Sequence, residues 1–444
     1  MKTAFLIIAA LLVLALLAAA GVYFYSQESA TVPVEQGYGP NPALPPPNPK
    51  PIATVNIADA SSWPEGKTPA VAAEMKVNAF AKDLDHPRWL HVLPNGDVLV
   101  AETNAPPRQN QSFSIRGWVE GLIMGRAGAR VTSPNRIMLL RDADNDGVAE
   151  VRETFLENLN SPFGMTLSNG KLYVANTDAI VAYPYSDGET KITAAPEKIA
   201  NLPGGPINHH WTKDVIASPD GTKLYATVGS NSNVGENGID AEANRAAVLE
   251  IDLNTKKTRL FASGLRNPNG LSWNPDSGAL WVAVNERDEI GSDLVPDYMT
   301  SVKDGGFYGW PYSYYGENVD VRVSPQNPEL VASAIKPDYA LGPHTASLGL
   351  TFYTGSLFGP EYKYGAFVGQ HGSWNRKPRS GYKVIFVPFS NGKPNGPPQD
   401  ILTGFVEGDK ALGRPVGVAV DKAGALLVAD DVGNTIWRVT PSAP

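Results

Sequence analysis

Apolar and polar positions along this chain fall into short alternating runs broken by Gly, Pro, Asn and Asp. Six times a polar opening leads into an apolar run, a turn and a second apolar run. The copies are HPRWLHVLPNGDVLVAET (86–103), SPFGMTLSNGKLYVANT (161–177), HHWTKDVIASPDGTKLYATVG (209–229), RNPNGLSWNPDSGALWVAVN (266–285), HTASLGLTFYTG (344–355) and GRPVGVAVDKAGALLVADD (413–431). A repeated strand–turn–strand unit predicts an all-β fold, a six-bladed β-propeller with one unit per blade. The innermost strands of a propeller line its central channel, so the six openings should converge. They carry Arg88, His210, Arg266, Asn267, His344 and Arg414. The strands at MKVNAFAKDL (75–84) and NTIWRVTP (434–441) are suited to pair and close the ring, which removes an exposed edge.

The pattern changes at the N-terminus. Residues 3–25 are apolar without a charge, preceded by Lys2 and ending in Tyr23-Phe24-Tyr25. Roughly 20 apolar residues can span a bilayer as a helix. The length favours an uncleaved anchor over a cleaved signal peptide, and either one exports the body. The expected location is periplasmic or extracytoplasmic, anchored in the inner membrane. Residues 28–55 are proline-dense and read as an extended spacer. The expected division is 1–27 anchor or signal, 28–55 linker and 56–444 propeller.

Composition narrows the function. No Cys is present, so disulfides, thiolate metal sites and a Cys nucleophile are excluded. A net charge of −8 argues against nucleic acid as a partner. The cationic openings therefore stand against the bulk charge and suggest a small polyanionic ligand. His210 opens the third blade, where a neutral imidazole could act as a general base, with Lys213 three residues on. GLRNPNG (264–270) combines Arg266 with Asn267 and Asn269, donors suited to a carboxylate or a developing oxyanion. GQHGSWNRKPRSGYK (369–383) adds His371, Arg376 and Arg379, and Arg414 adds another cation.

Two loops read as calcium sites. DADNDGVAEVRE (142–153) offers Asp142, Asp144, Asp146 and Glu153 at calcium-loop spacing, although its flanks look like strands. The polar loop around Arg287, Asp288 and Glu289 offers carboxylates and carbonyls. Two insertions complete the picture. Residues 104–134 predict an amphipathic helix packed on the propeller face, and the aromatics of 297–316 either wall a pocket or pack.

Several motifs together resemble the soluble glucose/sorbosone dehydrogenase family, in its sorbosone-dehydrogenase-like branch. They are HWTKDVIASPDGTKLYATVGSNSN, GLRNPNGLSW, NERDEIGSD followed by FYGWP, GQHGSWNR, and GRPVGVAVD with LLVADD. The resemblance covers about residues 75–440. It implies a six-bladed propeller that binds pyrroloquinoline quinone (PQQ) and calcium and oxidises a sugar or related hydroxyl or aldehyde compound. By resemblance, His210 is the base that takes the hydroxyl proton while hydride passes to PQQ. Arg266 contacts the quinone oxygens, with Asn267 beside it, and Asn269 stands where the soluble glucose enzymes have Gln. Arg414 lies near the family's carboxylate-binding arginines, Arg376 or Arg379 near its PQQ-binding Lys, and the 287–289 loop near the one that holds the calcium; Lys213 is expected at the cofactor from the cationic funnel itself. Electrons would pass on to a membrane or periplasmic acceptor. Two alternatives stand beside this reading: a lactonase-type calcium-dependent hydrolase and a non-catalytic binding propeller.

Overall fold

A computed structural model describes residues 2–107 and 115–442. Each sequence repeat supplies the two inner strands of a four-stranded antiparallel blade. The inner strands are Pro87–Val92, Met165–Ser168, Val215–Ala217, Asn267–Trp273, Ser347–Phe352 and Pro415–Val420. Each pairs outward with the next strand of its own repeat, and the six contact one another around a closed ring. The predicted closure holds. Met75–Ala81 forms the outer strand of the sixth blade, antiparallel to Thr435–Pro441. The last blade is thus built from both ends of the propeller chain, and no inner edge is left open.

Close packing of the inner strands explains the glycine that recurs in the repeats. A Cβ at Gly349 would stand 2.2 Å from the Val416 carbonyl oxygen, and one at Gly417 would stand 2.7 Å from the Arg88 carbonyl oxygen. Only a residue without a side chain lets these backbones approach so closely. Apolar alternate positions fill the space between blades: Trp89, Phe155, Phe163 and Val174 share one core, and Tyr298, Val282 and Leu271 another. Phe163 is fully buried, so its truncation to Ala would cost about 3–5 kcal/mol.

Register defines two faces. In the first blade Pro87 pairs with Glu102, and Glu102 with Arg136, at the end where the repeats open. Val92, Val98 and Leu140 meet at the other end. Four inner strands shift register beside their opening residues, at Pro87/Trp89, Pro268/Leu271, Ser347/Gly349 and Pro415/Val418. Such bulges re-aim side chains at the rim of a sheet.

The proline-dense segment is not the free spacer expected from its composition. It lies as a strap along the opening face. Ala30 N–H donates to the Lys377 carbonyl and Asn48 N–H to the Ile290 carbonyl, and Tyr38–Gly39 pairs with the edge of the fourth blade. One of its carbonyls, that of Val32, accepts from Arg376 of the propeller. Ahead of the strap, helix α1 spans Lys2–Ser26, and the described side chains of Phe5, Leu6, Leu14 and Leu17 are exposed. Among the described residues, which exclude several side-chain positions of α1, no helix is long and apolar enough to cross a membrane. The insertion after the first blade forms α2, Ile115–Arg126. Arg126 binds Asp59 of the segment that follows the strap. Trp118 lies outside the described side chains, and Leu122 is half exposed.

Candidate active site

The openings assemble into two adjoining groups on one face. In the first, the His210 ring is partly buried, with Nδ1 2.8 Å from the Ser230 carbonyl and 3.0 Å from Ser230 Oγ. Ser230 Oγ donates its own proton to the Ser232 carbonyl at 2.6 Å, so it can only accept at the imidazole. Nδ1 therefore carries the hydrogen, and the lone pair is left on Nε2. Burial, and next the charge of Arg266, lower the His210 pKa well below its usual value. The ring is neutral at pH 7.

Arg266 is buried beside it. It donates to the Glu286 carbonyl at 2.6 Å and to Asn233 Oδ1 at 2.9 Å, and it faces Asp288 at 3.4 Å. Asp288 also meets His344 Nδ1 at 3.1 Å and accepts from Asn375 Nδ2 at 2.9 Å. Burial alone would raise the Asp288 pKa, but the His344 hydrogen bond and the Arg266 charge hold it at about 2. Burial disfavours a charge on His344, yet Asp288 outweighs that and raises its pKa. Asn267 Oδ1 is buried without a partner, and Gly229 sits between it and His210. A Cβ at Gly229 would fall 2.4 Å from Asn267 Oδ1 and 2.5 Å from His210 Cβ.

The second group surrounds Asp431. Its carboxylate accepts from Arg88 at 2.9 Å and meets His371 Nε2 at 2.9 Å, with His86 Nε2 at 3.7 Å. Burial would raise its pKa, but His371 and Arg88 hold it well below the usual range. Burial lowers the His371 pKa to about 4 despite Asp431, with Arg414 and Arg88 adding to the effect. Arg414 lies 4.9 Å over the Tyr382 ring, and its Nε is buried without a partner. Arg88 Nε is likewise unpartnered, and its guanidinium sits 5.7 Å from the Trp211 ring. Trp211 follows His210 in the chain, so it joins the two groups. Arg88 and Arg414 against Asp431 leave positive charge beside the neutral histidines.

Other expected site residues serve different ends. Lys213 is fully buried, and its ammonium is spent on the His210 and Trp211 carbonyls at 3.2 and 3.1 Å and on Asn208. It secures the turn that carries His210. Asn269 accepts from Thr212 and donates to the Asn267 carbonyl beneath the site. Arg376 donates to the Ser292, Pro378 and Val32 carbonyls, and Arg379 to the Asn56, Ile57 and Gly408 carbonyls. Arg376 thus ties the strap to the propeller through Val32, and Arg379 ties the segment that follows the strap to Gly408, so both guanidiniums are engaged in holding the N-terminal segment. Arg287 is wholly buried, bound to Glu286, Asp320 and the Pro311 and Ser313 carbonyls.

The expected metal sites divide in the same way. The Asp288 carbonyl already accepts from Asn233 and Arg322, and its carboxylate is bound by cations, so this loop does not fit a calcium ion. Glu289 follows with a left-handed backbone, φ of +73°. In the acidic hairpin Asp142, Asp144 and Asp146 gather with Glu150, their oxygens within 4.8 Å of one another. Glu153 instead lies in the strand Val151–Leu156, paired with Leu139. Two strands flank the loop, which shortens the reach to its last acid. Register puts this hairpin on the face opposite the openings. The aromatics of 297–316 mostly pack: Tyr308, Tyr314 and Tyr315 are core residues. Trp310 is the exception with a link to the site, donating to the Asn233 carbonyl at 2.9 Å.

A family model described as glucose / sorbosone dehydrogenase matches residues 163–373, which contain His210, Arg266 and Asn267. One described as TrAA12-like matches residues 324–442. The chain belongs to the PQQ-dependent soluble glucose/sorbosone dehydrogenase family. An uncharacterized protein of Borreliella burgdorferi is 30% identical over 301 residues, 64% of this chain and 77% of that one. The pyrroloquinoline quinone-dependent pyranose dehydrogenase of Coprinopsis cinerea is 27% identical over 292 residues, 52% of this chain and 39% of that one. The chain thus matches well under half the length of that relative. The holo form of the Coprinopsis pyranose dehydrogenase PQQ domain superposes with a TM-score of 0.68 at 19% identity, covering 86% of this chain and 100% of that domain. At that identity the likeness concerns the propeller fold.

Proposed function

We propose that this protein is a PQQ-dependent dehydrogenase that oxidises a sugar or a related hydroxyl or aldehyde compound, with His210 as general base. The observation that carries the reading is the His210–Ser230–Ser232 chain, which leaves Nε2 as an acceptor beside a buried arginine. A neutral imidazole with a fixed tautomer can take a hydroxyl proton. Arg266, whose charge acts on the His210 ring, favours negative charge developing next to it.

The unpartnered buried atoms fit a polyanionic planar cofactor. Arg88 Nε and Arg414 Nε are donors without acceptors, and both guanidiniums lie against aromatic rings. Arg88, Arg414, Arg266 and Asn267 would hold such a group. Bound PQQ would supply the two-electron acceptor chemistry. The chain's own part is to orient the substrate, remove its proton at Nε2 and keep the charge balanced. If calcium serves this protein, its place is the Asp142–Glu150 hairpin, in a structural role. The hydrolase alternative needs an uncommitted carboxylate near the channel, whereas Asp288 and Asp431 are each bound to an arginine and a histidine.

The exposed apolar α1 supports an extracytoplasmic protein tethered at a membrane, delivering electrons to a membrane or periplasmic acceptor. The test is titration of the full chain with PQQ, then dye reduction over a panel of aldoses, sorbosone and alcohols. Tight PQQ binding with turnover is expected. A folded protein that binds no PQQ overturns the reading.

A further inference from the structure

The turn after the second strand of the third blade, residues 230–236, reaches the first group of site residues from two directions. Its first residue holds the backbones. The Ser230 carbonyl accepts from His210 N–H at 3.3 Å as well as from the ring, and Ser230 N–H donates to the Arg266 carbonyl at 2.9 Å. The chain segments that carry His210 and Arg266 are therefore tied to one residue.

Asn233 holds the other end of Arg266. A guanidinium can only donate, so the 2.9 Å bond from Arg266 Nη2 fixes Asn233 Oδ1 as the acceptor and Nδ2 as the donor. The same Oδ1 accepts from Asp288 N–H at 2.9 Å, and Nδ2 donates to the Asp288 carbonyl at 3.0 Å. Asn233 is itself held through its backbone. Its N–H donates to Glu236 at 2.8 Å, and its carbonyl accepts from Trp310 at 2.9 Å. One partly buried amide thus clamps the Arg266 guanidinium and the Asp288 backbone together.

The clamp has an electrostatic consequence. The other side-chain acceptor of Arg266 is Asp288 Oδ2, at 3.4 Å. Asn233 is neutral and takes the shorter bond. Without Oδ1 the guanidinium would close on the carboxylate, and a tighter ion pair screens the charge that acts on His210. His209 and Lys213 also bear on the ring, His209 edge-on at 4.6 Å between centroids, and Glu236 bears on His209. Both cationic residues belong to the turn that carries His210, so their places do not depend on the Asn233 amide.

We infer that Asn233 is a positioning residue for the reaction, holding Arg266 apart from Asp288 so that its charge is directed at His210. The inference deepens the dehydrogenase reading and rests on it for the part His210 and Arg266 play in turnover, but not for the clamp itself.

The test follows the six histidines of the full chain, free of PQQ, by NMR over pH. The His210 signal is identified by its loss in His210→Gln. Asn233→Ala and the near-isosteric Asn233→Leu are compared with Arg266→Gln and with the double variants; if one Asn233 variant fails to fold, the other decides. Each single change should raise the His210 midpoint, and the Asn233 change should add nothing in the Arg266→Gln background. In dye reduction, Asn233→Ala should lower kcat about tenfold with KM unchanged, less than the about 10²-fold that losing a charge-stabilising donor outright costs. A lower Tm with no shift of the His210 midpoint, or shifts that simply add, would mean that Asn233 only braces the turn, and overturns the inference. PQQ and the sugar panel are then applied to the same samples. A coupled titration without turnover keeps the clamp and removes the dehydrogenase, and turnover with an unshifted His210 does the reverse.

Discussion

His210 and His371 occupy the same face of one channel and are held in opposite ways. His210 takes its tautomer from a serine hydroxyl and a carbonyl, both neutral, with Arg266 as the nearby charge. His371 leans on a carboxylate, Asp431, which is shared with Arg88. Both imidazoles are pushed toward neutrality by burial. The difference lies in what surrounds them. The His210 group has a bare Nε2 lone pair and a cation placed to favour negative charge. The His371 group has two arginines with unpaired donors. One arrangement suits proton removal, and the other suits holding an anion.

The sharpest way to break this comparison is to remove each ring in turn. His210→Ala should lower kcat by about 10²–10⁴ with PQQ affinity retained, the range for loss of a general base. His371→Ala should act mainly on PQQ affinity. The reverse order, measured by dye reduction and cofactor titration on the same preparations, would move the base to the Asp431 group.

Next in size are the arginines. Arg88→Gln and Arg414→Gln each remove a charge-assisted donor and should weaken PQQ binding about tenfold or more, with a stronger salt dependence in the wild type. Arg376→Gln should leave PQQ affinity unchanged and instead expose residues 28–58 to limited proteolysis. Equal loss of PQQ affinity in all three would mean that the strap latch belongs to the cofactor site.

This contrast marks what the sequence could convey. The repeat gave the blades and their openings, because apolar period and turn residues are local properties. Strand closure was legible for the same reason. The fate of Arg376 and Arg379 was not. A guanidinium near a predicted opening reads as free until the carbonyls of Val32, Asn56 and Ile57 are brought to it from hundreds of residues away. Asp431 and Ser230 escaped notice although each directly follows or lies close to the second strand of a repeat, in LLVADD and YATVGS. The signal was the polar residue at that strand end. Its partner histidine comes from another blade or an earlier loop, which no local pattern reveals.

A smaller effect concerns acid. His371 has a folded-state pKa of about 4, below the usual 6.5, so the unfolded chain binds its proton more readily between those values. The stability that its neutral ring contributes is present above pH 6.5 and is lost as pH falls towards 4. The conservative variant His371→Gln lacks this penalty. Its Tm relative to wild type should therefore rise as pH drops from 6.5 to 4.5, and a constant difference would refute the assignment. For His210 the same direction of shift means that kcat/KM stays level down to pH 6.5 and falls only at lower pH.

The smallest effect is expected at the acidic hairpin, and it separates the two faces of the propeller. Asp142 accepts from the N–H groups of Asp146 and Gly147, and Asp146 accepts from Val148 N–H, so the turn is shaped by its own carboxylates. Gathered acids repel one another, and a divalent cation relieves that repulsion. Any gain stays local, because register sets the hairpin at the Val92 end of the first blade while PQQ would bind at the Pro87 end. Asp144→Asn should thus abolish a calcium-induced rise in Tm without changing PQQ affinity or turnover. If chelation or this substitution weakens PQQ binding, the two faces are coupled, and calcium belongs to the channel rather than to the hairpin.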